Sequence, residues 1–336
     1  MIPAILDDGR LQNRRPIDEV VRIFEDRLIE NRRIAESDVR RRRVVAGDPE
    51  QGQQFHPFSK INIPERAVAV VMHEIERRAV RCWAFLGAAY HQSGNRPESL
   101  KCFEELEAES KMNASRTMIA ALHCVRGFFH VDLLLDEAER ASWARLSPLT
   151  GHSDEGQHQI REDIRKAKSL AEEWREVARK AGSAAHEAVS DLNTARAIFY
   201  HAILKQDRGP DGLAELAEAE RTLGSVFTNL RSTEHWLYVP NALLTRAWIR
   251  SLTSALAGPD SAQSDLDEAW EIAERGPMPL FLADIHLHRV RLFFREAAYP
   301  WESPQHDLKE ARRLIFKHGY LRRQEELEDA EAVILG

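Results

Sequence analysis

The stretch RCWAFLGAAYHQSGNRPESLKCFEEL, residues 81–106, indicates the fold of this chain more clearly than any other. Apolar and small residues recur in it three or four positions apart, which is the spacing of one face of a helix. Gly94 interrupts that helix, and a second helix follows. Because Gly87 has no Cβ, the second helix can approach the first closely. The side chains that define this pattern are Trp83, Leu86, Gly87, Tyr90 and Phe103.

This pattern resembles the tetratricopeptide repeat (TPR), in which W-x-x-L-G-x-x-Y precedes a glycine turn and an aromatic residue on the second helix. Ser99 stands where the repeat has a small residue, and Lys111 stands near the place of its closing proline. The resemblance implies hairpins of two antiparallel helices. One hairpin cannot bury its apolar face alone, so a stack is implied as well: a TPR-like α-solenoid, coiled into a right-handed superhelix with a concave groove.

The rest of the chain also follows a helical pattern, so the predicted fold class is all-α. No segment shows sustained period-two alternation, and Gly–Pro pairs separate the helical runs. Residues 266–276 and 308–319 repeat one pattern about 42 residues apart, and 213–224 is a looser copy. The predicted helices cover 16–46, 64–92, 96–111, 114–136, 155–181, 184–206, 210–224, 234–257, 261–275, 279–297, 305–318 and 321–334.

Two long polar stretches rich in glycine and proline predict the domain organisation. We expect an N-terminal helix and linker over residues 1–60 and a first TPR-like block over 61–146. A loop over 147–158 then leads to a second TPR-like block over 159–336, which ends in a capping helix.

Composition argues against several function classes. The 336 residues are 43% hydrophobic and carry a net charge of −7, which gives no general attraction to nucleic acid or to anionic membranes. No apolar run approaches the roughly 18 residues of a membrane span, and the N-terminus lacks the pattern of a signal peptide. Cys82, Cys102 and Cys124 are predicted to be reduced thiols in the core. Together these features predict a cytoplasmic protein.

Catalytic motifs are missing from the sequence. HEIER (73–77) and HEAVS (186–190) lack the second histidine of a zinc-protease site, and no phosphate-binding glycine loop or G-x-S-x-G elbow is present. Asp284 and His288 share a helix face at a spacing that suits two metal ligands, but no third ligand is evident. The group His152, Asp154 and His158 fits no metal-site spacing either. We therefore expect no enzyme, no cofactor and no metal, with a metal-dependent hydrolase as an alternative.

Four arginines on predicted first helices are candidate partner-binding residues: Arg246, Arg250, Arg289 and Arg291. First helices line the groove of a superhelix, where guanidinium groups can clamp a carboxylate or an acidic peptide. The alternative is that they pair with carboxylates of neighbouring helices, namely Asp265, Asp267 and Glu268.

The run Arg40–Arg43 raises a second function, a nucleic-acid-responsive regulator that contacts the phosphate backbone. Residues 1–50 hold 11 arginines and 11 acidic residues, so the segment is neutral. A solvated, salt-bridged helix is therefore the preferred interpretation.

Several strings are similar to the C-terminal TPR region of bacterial NACHT-type STAND ATPases: 125–135, 195–205, 239–252, 265–293 and 310–334. The similarity covers roughly 80–336, and the nucleotide-binding module of that family is missing. It implies a non-catalytic scaffold or sensor that binds a protein or peptide in its groove, in antiphage or stress signalling. The partner would be an ATPase, protease or effector encoded nearby. Homo-oligomerisation stays open.

Overall fold

The computed structural model describes residues 83–112, 119–146, 156–205, 210–254 and 256–335. All of them lie in one compact unit, Val80–Gly336. Every regular element in these ranges is helical, and none is a strand, so the all-α prediction is confirmed for the described part of the chain. The predicted helix 16–46 and the run Arg40–Arg43 lie outside the described residues.

Eleven helices follow one another through these ranges, and α1 is described over residues 83–92. The others are α2 (Arg96–Met112), α3 (Ile119–Leu146), α4 (Gln157–Lys180), α5 (Ala184–Lys205), α6 (Pro210–Ser232), α7 (Val239–Thr253), α8 (Ala262–Arg275), α9 (Pro279–Phe293), α10 (Pro304–His318) and α11 (Gln324–Leu335). Short 3₁₀ turns precede α7 (Trp236–Tyr238) and α11 (Leu321–Arg323). We call the second one the arginine turn.

Local sequence explains where several helices begin. At the start of α8, Ser261 Oγ accepts a hydrogen bond from the Ser264 backbone N–H at 3.2 Å, and Ser264 Oγ accepts one from the Ser261 backbone N–H at 2.9 Å. This reciprocal pair satisfies two backbone donors that a helix start leaves open. Pro279 and Pro304 occupy the first turns of α9 and α10, where a missing N–H costs nothing.

Two helices are longer than the sequence pattern predicts. α3 continues to residue 146 instead of 136, and α6 continues through Gly224 to residue 232 instead of ending there. A Cβ at Gly224 would meet nothing within 4 Å, so this glycine sits on an open helix face. Glycine in a helix costs only about 1 kcal/mol. Burial of Phe227 and Leu230 beyond it offsets that cost.

Helices that are neighbours in sequence pack as hairpins, among them α4 with α5, α7 with α8 and α9 with α10. In addition, α3, α5, α7, α9 and α11 contact one another in that order. We call these five helices the inner row. α5 and α9 are buried around much of their circumference; residues 283–290 of α9, for example, are all buried. A helix covered in this way belongs to the interior of the unit.

The pair of helices at the start of the described unit packs at very short range. A Cβ on Gly87 would lie 2.9 Å from Cε2 of Phe103 and 3.2 Å from Cβ of Cys102. Trp83, Leu86 and Tyr90 are half-buried on α1. The second helix thus approaches α1 at the glycine, as the spacing predicts. Cys102 is buried in this contact; the side chains of Cys82 and Cys124 lie outside the described residues.

The two ends of the described unit meet. Gly94 has φ +79°, a conformation that favours glycine, and a Cβ there would lie 3.3 Å from the backbone carbonyl carbon of Leu321. Next to it, Nη1 of Arg322 lies 3.2 Å from Nδ1 of His91. The arginine turn therefore rests against the end of α1.

Candidate functional site

A cluster of charged side chains lies inside the unit, along one face of α3. Asp132, Asp136 and Glu139 are three or four residues apart, so they project from the same side of the helix. Residues from α1, α5, α9, the arginine turn and α11 complete the cluster. We call it the charged seam, and its members are His91, Asp132, Asp136, Glu139, Arg196, Asp284, Arg291, Arg322, Arg323 and Glu326.

Asp132 on α3 contacts His91 of α1, Arg196 of α5 and Arg322 of the arginine turn. Its Oδ1 accepts a hydrogen bond from Nη2 of Arg196 at 2.8 Å, and its Oδ2 accepts one from Nη1 of Arg322. Burial would raise the pKa of Asp132, but the attraction of Arg322 and Arg196 outweighs it and holds that pKa well below its ordinary value. The carboxylate is therefore charged across the physiological range.

Arg323 binds three carboxylates at once. Its guanidinium lies 2.9 Å from Oε1 of Glu139, 2.8 Å from Oδ1 of Asp284 and 2.6 Å from Oε1 of Glu326. Burial raises the pKa of Glu139 and of Asp284, although Arg323 opposes both shifts. At Glu326, burial raises the pKa, but Arg323 and Arg291 outweigh it and lower the pKa. The carboxyl groups of the seam thus differ in how readily they take up a proton.

Two buried histidines border these charges. Burial, with the nearby positive charges, lowers the pKa of His288 to about 3, although a hydrogen bond to the Asp284 backbone opposes this. Burial and Arg322 also lower the pKa of His91, although Asp136 and Asp132 oppose them. Both rings are therefore neutral at neutral pH.

The seam is suited to hold helices together. Its charges are buried and paired within the unit, so each side chain depends on its partners to offset the cost of leaving water. The pairs link α1, α3 and α9 to the C-terminal elements and α5 to α3, which fixes how distant parts of the chain align.

Two of the predicted partner-binding arginines form ion pairs with a buried carboxylate of α8. Nη2 of Arg246 lies 2.6 Å from Oδ1 of Asp265, and Nε of the same arginine lies 3.0 Å from Oδ2. Nη1 of Arg250 lies 3.2 Å from Oδ1 of Asp265, and its Nε lies 3.2 Å from Glu220. These two arginines therefore pair with a carboxylate of a neighbouring helix, Asp265, which is the alternative to partner binding that the sequence leaves open.

The other two arginines are also engaged within the unit. The guanidinium of Arg289 lies between two indoles, 4.4 Å from the ring centroid of Trp270 and 4.5 Å from that of Trp301. Its Nη2 is 3.8 Å from Asp267. Arg291 donates hydrogen bonds to Oε2 of Glu326 at 2.7 Å and to its backbone oxygen at 2.8 Å. A role in partner binding stays a prediction for all four, and a partner would compete with these contacts.

The histidines and carboxylates that the sequence singles out as metal candidates have other partners. Nδ1 of His288 lies 2.8 Å from the backbone oxygen of Asp284, and Nδ1 of His286 lies 2.6 Å from Oδ1 of Asp307. Within the described ranges, no group of three or more potential ligands is placed to hold a metal ion. His158 is exposed, and residues 152–154 lie outside those ranges.

Sequence reasoning missed the charged seam. Asp132 and Arg322 are 190 residues apart, so no local pattern links them. A signal was nevertheless present, because Asp132 and Asp136 flank the apolar run Leu133–Leu135 and share helical spacing with Glu139. Charged residues on a buried face require partners from other elements.

Aromatic side chains of α1, α3 and the 3₁₀ turn before α7 contact one another, and the exposed Trp236 and Leu237 precede Tyr238 in that turn. Ring centroids lie 6.0 Å apart between Phe85 and Phe129, and 4.8 Å apart between Phe128 and Tyr238. Phe128 and Phe129 are themselves in edge contact at 5.8 Å. We call this group the aromatic strip, and it comprises Phe85, Phe128, Phe129, Trp236, Leu237 and Tyr238. Phe85 is 55% exposed, Leu237 52% and Trp236 45%.

Across the part of the chain that the structure describes, no helix is both long and apolar enough to span a membrane. Comparison with known proteins finds no family model, no curated protein and no solved structure that matches this chain.

Proposed function

We propose that this chain is a non-catalytic TPR-like repeat protein that binds a protein partner. The observation that carries the proposal is the aromatic strip, in which three large apolar side chains are about half exposed. Contiguous apolar surface of this kind marks interaction sites in soluble proteins. The partner would present apolar side chains of its own, because burial of apolar area is what such a surface can offer.

The strip is built for binding in two ways. Four of its rings, those of Phe85, Phe129, Phe128 and Tyr238, contact one another from α1 across α3 to the turn before α7, so this part of the strip is ordered before any partner arrives. Ordered side chains lose less conformational entropy on binding. The strip also offers tryptophan at an exposed position, and tryptophan is among the residues that dominate binding energy at protein interfaces.

The sequence predicts that the partner binds in the concave groove of a right-handed α-solenoid. Hairpin packing and the inner row support the solenoid, and the handedness rests on the resemblance to TPR proteins. For the groove, an acidic peptide would displace carboxylates such as Asp265 and Glu326 from their arginines. The strip requires no displacement, and we therefore place the main contact there.

A role as the sensor or partner-binding arm of a NACHT-type STAND system, in antiphage or stress signalling, is part of the same proposal. Its support is the sequence similarity over roughly 80–336. The expected partner is an ATPase, protease or effector encoded near this chain.

Binding of a purified partner to matched surface variants tests the proposal. A candidate encoded nearby is purified, and its affinity for the native chain is measured by calorimetry. In the double variant Trp236→Ser, Leu237→Ser we expect affinity to fall at least tenfold, since loss of one good anchor costs about 2 kcal/mol or more. Leu213→Ser on α6 is the control, because Leu213 is 55% exposed outside the strip.

Unchanged affinity in the double variant would place the interface elsewhere, and turnover of a small substrate by the pure chain would refute the non-catalytic assignment. Helical circular dichroism of each variant must match that of the native chain.

A further inference from the structure

Five buried side chains of the inner row lie together on three neighbouring helices. The indoles of Trp143 on α3 and Trp248 on α7 are stacked, with centroids 3.5 Å apart and planes 12° apart. Trp248 lies 5.9 Å from the ring of Tyr200 on α5. One turn before Tyr200, Arg196 places Nη2 at 3.6 Å from Oε2 of Glu139, which is one turn before Trp143. We call this group the indole circuit; each member is at most 7% exposed.

Four polar atoms of the indole circuit have no hydrogen-bond partner among the described residues. They are Nε1 of Trp143, Nε1 of Trp248, Nη1 of Arg196 and Oε2 of Glu139. Each such buried group costs about 1–3 kcal/mol, and native proteins contain few of them. Ten buried side-chain atoms of the described residues lack a partner, and four of them lie in this one group of neighbouring side chains, which makes it a place for a hydrogen-bonding ligand.

The balance of donors and acceptors indicates the class of ligand. The two indoles and Nη1 of Arg196 present four N–H hydrogens, against a single carboxyl oxygen. One water molecule accepts about two hydrogen bonds, so it cannot satisfy this set. An oxyanion has several acceptor lone pairs and forms the stronger, charge-assisted bonds with a guanidinium.

We propose that the indole circuit is a binding site for a small oxyanion, a carboxylate or an inorganic anion. Trp143, Trp248 and Arg196 donate hydrogen bonds to it. Arg291, whose guanidinium lies 4.6 Å from the ring centroid of Trp143, adds positive charge beside the site.

Three carboxyl groups lie beside these arginines: Asp132 is 2.8 Å from Arg196, Glu326 is 2.7 Å from Arg291, and Glu139 is 3.6 Å from Arg196. Burial raises the pKa of Glu139, which favours the neutral carboxyl that donates a hydrogen bond.

This site is independent of the proposed function. It lies inside the unit, whereas the aromatic strip lies on the surface, and no residue is common to both. An anion held there would connect α3, α5 and α7 at a point where their polar groups lack partners.

Anion titration of the full chain tests the proposal. The chain is dialysed into chloride buffer, and the thermal midpoint is followed as sodium formate or sodium selenate replaces chloride at constant ionic strength. We expect a saturable rise for one or both, and their comparison shows whether the site prefers a carboxylate or a tetrahedral anion. Trp143→Phe and Trp248→Phe keep an aromatic ring and remove one donor each, so half-saturation should shift at least tenfold.

Trp174→Phe is the matched control, because Trp174 is a buried indole of α4 outside the circuit, with the same 7% exposure as Trp143. It should titrate like the native chain. Crystals of the native chain grown with selenate give a second readout that needs no variant. An anomalous peak within hydrogen-bond distance of Nε1 of Trp248 supports the proposal. The proposal is overturned if the thermal midpoint is the same in formate, selenate and chloride. It is also overturned if the crystals show density for water alone in the indole circuit.

Discussion

The hydroxyl of Ser99 donates a hydrogen bond to the backbone carbonyl oxygen of Gly87, and the two oxygens lie 2.7 Å apart. The bond ties α2 to α1 at the place where the missing Cβ of Gly87 lets the helices come closest. Ser99 is fully buried, so its hydroxyl depends on this carbonyl as a partner. A small residue at 99 and glycine at 87 thus act together, each making room for the other.

Substitution of this glycine should destabilise the chain. In Gly87→Ala the new Cβ would lie 2.9 Å from Phe103 and 3.2 Å from Cys102, so the helices must separate. Overpacking of this kind costs about 1–3 kcal/mol in the free energy of unfolding, measured by denaturant titration. Gly224→Ala is the contrast: it has open space around it in α6 and should stabilise by about 0.5–1 kcal/mol. Equal effects of the two substitutions would contradict the close approach.

Removal of one arginine of the charged seam should lower the free energy of unfolding by more than Gly87→Ala does. Arg322→Met leaves Asp132 with Arg196 as its one remaining arginine partner among the described residues and removes the arginine partner of Asp136, and loss of one partner of a buried ion pair costs about 3–5 kcal/mol. Arg313→Met on α10 is the control, since Arg313 is 51% exposed and its pair with Glu310 is worth at most about 1 kcal/mol. Similar midpoints for the two variants in guanidinium would show that the seam contributes little.

Stability should fall between pH 6.5 and pH 5. The pKa of His288 is about 3 in the folded chain and about 6.5 when unfolded, so the unfolded chain binds a proton first as the pH falls. The contribution of neutral His288 to the free energy of unfolding is complete above pH 6.5 and is reduced by about 2 kcal/mol at pH 5. Asp132, whose pKa is lowered, acts at more acidic pH, where its contribution is lost below about pH 4.

Unfolding titrations at several pH values check this prediction. The variant His288→Gln should show a smaller slope of stability against pH over this window, while His158→Gln, at an exposed position, should retain the native slope. A native slope in His288→Gln would assign the effect to other groups.

The groove arginines allow structural and binding roles to be separated. Arg246→Gln leaves Asp265 with weaker partners, so we expect the free energy of unfolding to fall by about 1–3 kcal/mol. If Arg246 acts only within the fold, partner affinity at a temperature where the variant is folded should equal that of the native chain. A tenfold loss of affinity under those conditions would support the clamp that the sequence suggests.

Helical structure was predictable because its causes are local. Glycine and proline at 94, 97, 276 and 279 lie where helices stop and start, and the aromatic spacing of 83–103 identified the tight pair. The boundaries of α3 and α6 were not predictable in the same way. Buried residues such as Trp143 and Leu230 extend both helices, and their burial depends on elements far away in the chain.

The candidate sites were less accessible to sequence reasoning. The sequence pattern of an arginine on a helix does not distinguish a side chain that faces solvent or a partner from one that pairs within the fold. Arg246 pairs with Asp265, and Arg289 lies against Trp270. The charged seam joins residues from the first and last described helices, and the indole circuit joins residues of α3, α5 and α7. Their chemistry depends on tertiary packing, which periodicity does not encode.

The contact of Gly94 with Leu321 has a further consequence for how this protein can unfold and evolve. A linear array of repeats frays from its outermost members, because each of them has a neighbour on one side only. Here the arginine turn covers the end of α1, so slow deuterium exchange should extend to these two segments near the ends of the described unit. An inserted repeat would break that joint, and the number of hairpins in this unit is thereby limited.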